Sequence, residues 1–168
     1  MGDMKDDIAQ VVETTVVETF SGMLGQTIVA AAGGESAAPT AKDFIYACLL
    51  LDQEQGASAS FCFSFDDALL ARTAAAFYPG PQGADKSVRE DIACAVANIV
   101  GSKVKSCLNK YGNNYEMAVP FVGEPCCLPA TRPDAIHLHF SCDAASAARG
   151  EDALVVDVAL DAIPAGNC

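Results

Sequence analysis

Basic residues are scarce in this sequence: ten lysines and arginines stand against twenty-two aspartates and glutamates, a net charge of −12. A surface of that sign repels a phosphate backbone and an anionic bilayer alike, so neither nucleic acid nor a membrane is an expected partner. No run of eighteen apolar residues is present, and the opening MGDMKDD is acidic where a secretory leader is basic. The expectation is a soluble protein acting in the cytoplasm. The eight cysteines (48, 62, 94, 107, 126, 127, 142 and 168) include no C-x-x-C and no zinc-ribbon spacing. They read as reduced, structural thiols, with the vicinal Cys126 and Cys127 and the terminal Cys168 the most exposed. Also missing are G-x-S-x-G, a Ser/His/Asp pattern, a P-loop and a dinucleotide fingerprint, which removes support for the common nucleophile and nucleotide chemistries. His137 and His139 share one face of a strand pattern, but no third ligand stands at a recognisable spacing. They read as surface residues, with no metal site.

What is present fits one folded unit. The 168 residues are 51% apolar, enough for one well-buried core, so a single domain over 1–168 is expected. Asp6 or Asp7 to Leu24 places Ile8, Val12, Val16, Phe20 and Met23 on one helical face. Ala30 to Thr40 is Gly-rich and reads as a loop. FIYACLLLDQ (44–53) and the strictly alternating ASASFCFSF (57–65) read as an antiparallel hairpin, and Asp66 to Tyr78 as a short helix begun by an aspartate cap. After position 111 come three strand candidates, YEMAVPFV, AIHLHFS and DALVVDVALDAI, with Glu124 to Pro133 and Ala144 to Asp152 as connections. Strands grouped by hairpins predict an α+β fold, a largely antiparallel sheet with two long helices packed on it. A faint internal echo, a long helix then strands in each half, aligns Gly25 with Gly101 and Gly22 with Asn98.

The longest helical pattern is Ser87 to Tyr111, SVREDIACAVANIVGSKVKSCLNKY. Ile92, Val96, Ile99, Val100, Val104, Cys107 and Leu108 form its apolar stripe. Ser87 and Glu90 have capping-box spacing, and Gly112 is the stop. On the opposite side Asp91, Ala95, Asn98, Ser102, Lys105 and Asn109 recur at steps of three and four. A mid-helix asparagine is mildly unfavourable, because its side chain competes for backbone hydrogen bonds. Two readings of it stand open: a solvated, incidental residue or a functional one.

The run Asp91-x-x-x-Ala95-x-x-Asn98-x-x-Gly101, followed by Gly112 and the strand AVPFV (118–122), resembles the CheX branch of the CheC/CheX chemotaxis phosphatases. Those proteins carry D-x-x-x-E-x-x-N helices followed by a strand of the form S-L-P-x-V. The resemblance covers about thirty-five residues. It implies a homodimer formed through the sheet and hydrolysis of the aspartyl-phosphate of a CheY-type response regulator. Asn98 would be the catalytic residue that positions water, since a carboxamide both donates and accepts. Asp91, Ala95, Ser102 and Lys105 would form the docking face. No cofactor of its own is implied, because the Mg2+ would belong to the regulator. One position departs from the pattern: the motif glutamate, which pairs with a regulator lysine in that family, is Ala95. An inactive module that only binds a regulator or another signalling protein is therefore the alternative.

Overall fold

The alternating phenylalanines of 58–66 place Phe61, Phe63 and Phe65 on one side of a strand, where their rings stack with centroids 6.2 Å apart and are almost fully buried. In the computed structural model of the protein, which describes residues 2–31, 43–53, 58–123 and 134–161, this strand, β3 (Ser58–Asp66), is central to one sheet. It pairs over its whole length with β2 (Phe44–Asp52), as the hairpin reading predicted. Its other neighbour is β7 (Leu154–Leu160), which in turn pairs with β6 (Ile136–Ser141). Short edge segments complete the sheet: β1 (Val29–Ala30) on β6, and β4 (Glu116–Met117) and β5 (Phe121–Val122) on β2. Every pairing is antiparallel, and the order is β1-β6-β7-β3-β2-β4, with β5 also on β2.

Helices α1 (Gly2–Glu18) and α3 (Lys86–Lys110) lie side by side on the phenylalanine face, α1 over β6 and β1, and α3 over β2 to β5. The Tyr111 hydroxyl, just past the end of α3, donates to Asp7 near the start of α1, so the two helices run antiparallel. The expected α+β class, with two long helices on a largely antiparallel sheet, is the observed architecture. Exchanging β1 with β4, β2 with β6 and β3 with β7 turns the strand order into its own reverse, and exchanging α1 with α3 preserves the packing. The halves are thus related by a pseudo-two-fold axis between β3 and β7. The aligned glycines are not its register, however. A shift of 76 residues would set buried Thr15 and Thr19 on exposed Asp91 and Ala95.

Other local expectations change for physical reasons. The candidate strand 115–122 pairs only at its two ends, with Pro120, which has no N–H, between them. The expected loop 144–152 contains a short helix, α4 (Ala144–Ala148), begun by Asp143, whose carboxylate accepts from the Ser146 N–H at 2.7 Å. Glu124–Pro133, Cys126, Cys127, Cys168 and most of the 30–40 loop lie outside the described residues. The five described cysteines are free thiols, three of them buried.

Candidate functional site

The first signal for α3 is not the one expected. Asp85, not Ser87, is its N-cap, and no side chain caps it. Ser87 lies inside the first turn, and Glu90 pairs with Lys86 at 3.6 Å instead of reaching back to a cap. The entry is set by what precedes it. Asp66 Oδ1 caps α2 (Asp67–Phe77) by accepting from the Ala68 N–H at 3.0 Å, and a 3-10 turn (Pro81–Ala84) follows that helix. Gly83 allows the turn to press on α2, for a Cβ there would meet the Tyr78 carbonyl oxygen at 2.4 Å. Arg89 then clamps the three pieces: its Nε donates to Asp67 Oδ1 and its Nη1 to the Ala84 carbonyl, each at 2.6 Å.

The buried side of α3 is Ala93, Val96, Ala97, Val100, Gly101, Val104, Cys107 and Leu108, with Ile92 and Ile99 only half-buried on its flanks. The stripe is therefore turned toward its small residues. That lets the helix sink onto the sheet, most closely at Gly101, where a Cβ would lie 2.0 Å from Leu49 Cδ2 and 3.1 Å from Met117 Sδ. The close approach accounts for a mid-helix glycine that costs about 1 kcal/mol against alanine. At the far end Asn109 Oδ1 accepts from the Tyr115 N–H at 3.0 Å, and Gly112 takes the left-handed φ of 85° that ends the helix.

On the outward side Asp91, Ala95, Asn98 and Ser102 are all exposed, and Lys105 is half-buried beside them. Ser102 spends its hydroxyl on the Asn98 carbonyl at 2.8 Å, a local bond that leaves the Asn98 side chain untouched. Neither the Asn98 carboxamide nor the Asp91 carboxylate has a partner among the described residues. The helix brings these five positions into one line, as the periodicity predicted. What the sequence reading missed is the ground beside it. Tyr78, Gln82, Asp85, Val88, Asp91, Ile92 and Ala95 line a groove of about 480 Å³ between the α2–α3 connection and the first turns of α3. Beyond the groove on the same helix, burial first, then Asp91 and Glu90, raise the pKa of the Cys94 thiol. Further along, β5 pairs with Ala47 and Cys48 and packs beside α3, leaving Val119, Phe121 and Val122 exposed at the sheet edge.

The opposite face of the sheet holds a polar rung. Cys48, Cys62, Asp157 and His137 are successive cross-strand neighbours, and Phe121 continues the row on β5. His137 Nδ1 is 2.5 Å from Asp157 Oδ1, and His139 Nδ1 is 2.8 Å from Asp152 Oδ2. The histidines thus have separate carboxylate partners, and His139 is buried, contrary to the surface reading. Burial pushes the Cys62 thiol pKa well up, which makes it a poor nucleophile. Among the described residues no three His, Cys, Asp or Glu side chains converge as metal ligands, and no helix is long and apolar enough to cross a membrane.

No protein-family model and no curated protein matches the sequence. Solved structures do match its coordinates. Chemotaxis protein CheX from Vibrio vulnificus superposes with a TM-score of 0.70 at 15% identity, over 92% of this chain and 99% of that one. A chemotactic CheC-like protein from Shewanella oneidensis gives 0.66 at 15%, over 96% and 100%. The CheX–CheY–BeF3–Mg2+ complex from Borrelia burgdorferi gives 0.63 at 13%, over 94% and 98%. The chain has the fold of the CheX- and CheC-like chemotaxis proteins.

Proposed function

We propose that the chain is a CheX-like phosphatase of the CheC family, acting in the cytoplasm on the aspartyl-phosphate of a CheY-type response regulator in chemotaxis or two-component signalling. The observation that carries this reading is the bare carboxamide of Asn98, on an exposed helix face of a fold that also occurs in a CheX–CheY complex. Asn98 would accept a hydrogen bond from the attacking water and hold it in line with phosphorus, a positioning role that needs no titratable group. Asp91, Ala95, Ser102 and Lys105 form the docking surface around it. Mg2+ held by the regulator would neutralise the phosphoryl oxygens, so the proposal assigns no metal to this chain. A homodimer through the sheet is part of the proposal. The exposed edge formed by Phe121 and Val122, with Val119 at 84% exposure, supports it.

The second reading, a regulator-binding module without catalysis, is favoured by one residue. Ala95 stands where the motif has glutamate, and losing one charge-assisted contact costs about 1.5–3 kcal/mol, or about ten- to a hundredfold in rate. Phosphate release from a phosphorylated CheY-type regulator, followed for wild type, Asn98→Ala and Ala95→Glu, decides between them. The phosphatase reading predicts release faster than the regulator's own decay, lost in Asn98→Ala and increased in Ala95→Glu. Release at the regulator's own rate in wild type and Asn98→Ala alike, with binding intact, establishes the module.

A further inference from the structure

The polar rung on the sheet face away from the helices sets two cysteines opposite each other. We propose that Cys48 and Cys62 are a redox couple, which a peroxide converts into a cross-strand disulfide joining β2 to β3. Among the described residues they are the one pair of cysteines facing each other on neighbouring strands, and both are thiols in the structure.

The backbone decides how close they stand. The Asp67 N–H donates to the Asp43 carbonyl at 3.0 Å, in the register of the 44–66 pairing, so the odd-numbered residues of β2 turn their backbone groups toward β3. The Tyr46 and Leu50 carbonyls accept instead from the Gly123 and Ala118 N–H groups on the other side. Cys48 shares their parity, which makes Cys48 and Cys62 a non-hydrogen-bonded antiparallel pair. Such pairs bring the Cα atoms to about 4.5 Å with the side chains closest together, inside the span of about 4.4–6.8 Å that a disulfide bridges. A bond there needs rotation of two side chains, not movement of the strands.

Access gives the two thiols different tasks. Cys48 is 6% exposed and Cys62 is fully buried. Gly123 lies over the Cys48 sulfur, where a Cβ would stand 2.7 Å from Sγ, and β5 beside it is held to β2 by two residue pairs. Opening of that short edge pairing admits a small oxidant to Cys48. Its sulfur takes one oxygen from hydrogen peroxide, the O–O bond breaks, and a sulfenic acid and one water result. The Cys62 sulfur then displaces the hydroxyl group, its own proton leaving with it as a second water, and the S–S bond forms. Two electrons and two protons have passed from the thiols to the peroxide. Burial first, with Cys48 and Asp157 beside it, raises the Cys62 pKa, so this thiol reacts slowly with peroxide itself and serves to resolve its neighbour, an attack that proximity favours.

The test exposes the full chain to millimolar hydrogen peroxide, then unfolds, alkylates and digests it with trypsin. Residues 43–72 carry both cysteines on one tryptic peptide. That peptide should be lighter by two hydrogens and refuse alkylation until dithiothreitol is added. In Cys62→Ala, Cys48 should instead carry added oxygen, and in Cys48→Ala, Cys62 should stay alkylatable; unchanged circular dichroism confirms that both variants fold. The oxidised chain should melt about 5–10 °C higher than the reduced one, a rise absent from Cys48→Ala treated in the same way. A 43–72 peptide that stays alkylatable while Cys94, Cys107 or Cys142 is oxidised, one that closes only in urea, a bond from Cys48 to another cysteine, or no rise in melting point overturns the inference. No regulator enters the experiment, so its outcome is independent of whether the chain is a phosphatase.

Discussion

Helices α1 and α3 occupy equivalent places on a pseudo-symmetric sheet, yet only one of them carries a candidate site. Helix α1 contains no asparagine and ends in a π turn at Thr19–Met23, after which Gly25 takes a left-handed φ of 63°. Helix α3 runs on to Lys110 and shows a bare line of Asp91, Ala95, Asn98 and Ser102. The inner sides obey the same demand, small and β-branched residues against a sheet. The outer sides share no such demand, and they differ. Stability is thus written on the shared inner faces, and the candidate site lies on one outer face.

Four experiments can break that comparison. The largest effect is expected from Asn98→Ala, which should lower regulator dephosphorylation by about a hundredfold or to the regulator's own rate, comparable to removing a group used only in the transition state. Gln10→Ala, at an exposed position of α1, should leave the rate unchanged. Single-turnover phosphate release measures both, and equal losses in the two variants would place chemistry on both helices.

Next in size is Gly101→Val, which should destabilise the fold by about 2–3 kcal/mol, because the added atoms enter space held by Leu49 and Met117. Gly22→Ala on the α1 side meets nothing within 4 Å and should change stability by less than about 1 kcal/mol in the favourable direction. Urea midpoints with unchanged m-values would report both.

Arg89→Ala should cost about 1.5 kcal/mol, since it breaks an ion pair whose arginine side chain is 16% exposed and also frees the Ala84 carbonyl. Its signature beyond stability is local: hydrogen exchange should accelerate in the 3-10 turn and the first turns of α3 and not in α1.

The smallest expected effect is alkaline. Burial raises the pKa of Cys62, so this thiol stays neutral in the folded chain and ionises more readily once unfolded. A raised pKa of an acid contributes stability below the unfolded thiol's pKa, and that stability declines as pH rises through the unfolded value toward the folded one. Thermal midpoints should therefore fall above about pH 8.5, and Cys62→Ala or Cys62→Ser should flatten the decline. An unchanged slope in those variants would assign it to other groups, Tyr46 and Tyr115 among them, whose pKa values burial also raises.

The periodicity of α3 made its outer line legible, because a 3.6-residue repeat fixes which side chains share a face whatever the neighbours are. The hairpin 44–66 was legible for the analogous reason at period two. The buried stripe was read slightly askew. Large residues such as Ile92 and Ile99 dominate the pattern, whereas Ala93, Ala97 and Gly101 are hydrophobically quiet in sequence and matter by letting the helix approach. The capping box failed because local spacing was outweighed by the turn at 81–84 and the Arg89 clamp, which fix where the helix begins. The groove was illegible altogether: Tyr78 and Gln82 join Asp91 and Ala95 only once that turn has folded. His139 was misread because alternation shows which face a residue takes but not what covers that face.

The close seating of α3 at Gly101 also has a consequence in time. The helix backbone beneath Asn98 is fixed by the Leu49 contact, and its ends are pinned by Arg89 and Asn109. Among the described residues, this face is presented by a helix whose seating is set by the chain's own packing. On the proposed phosphatase reading, the persistence of a signal erased there would follow the abundance of this chain and the frequency of collisions, not an internal clock.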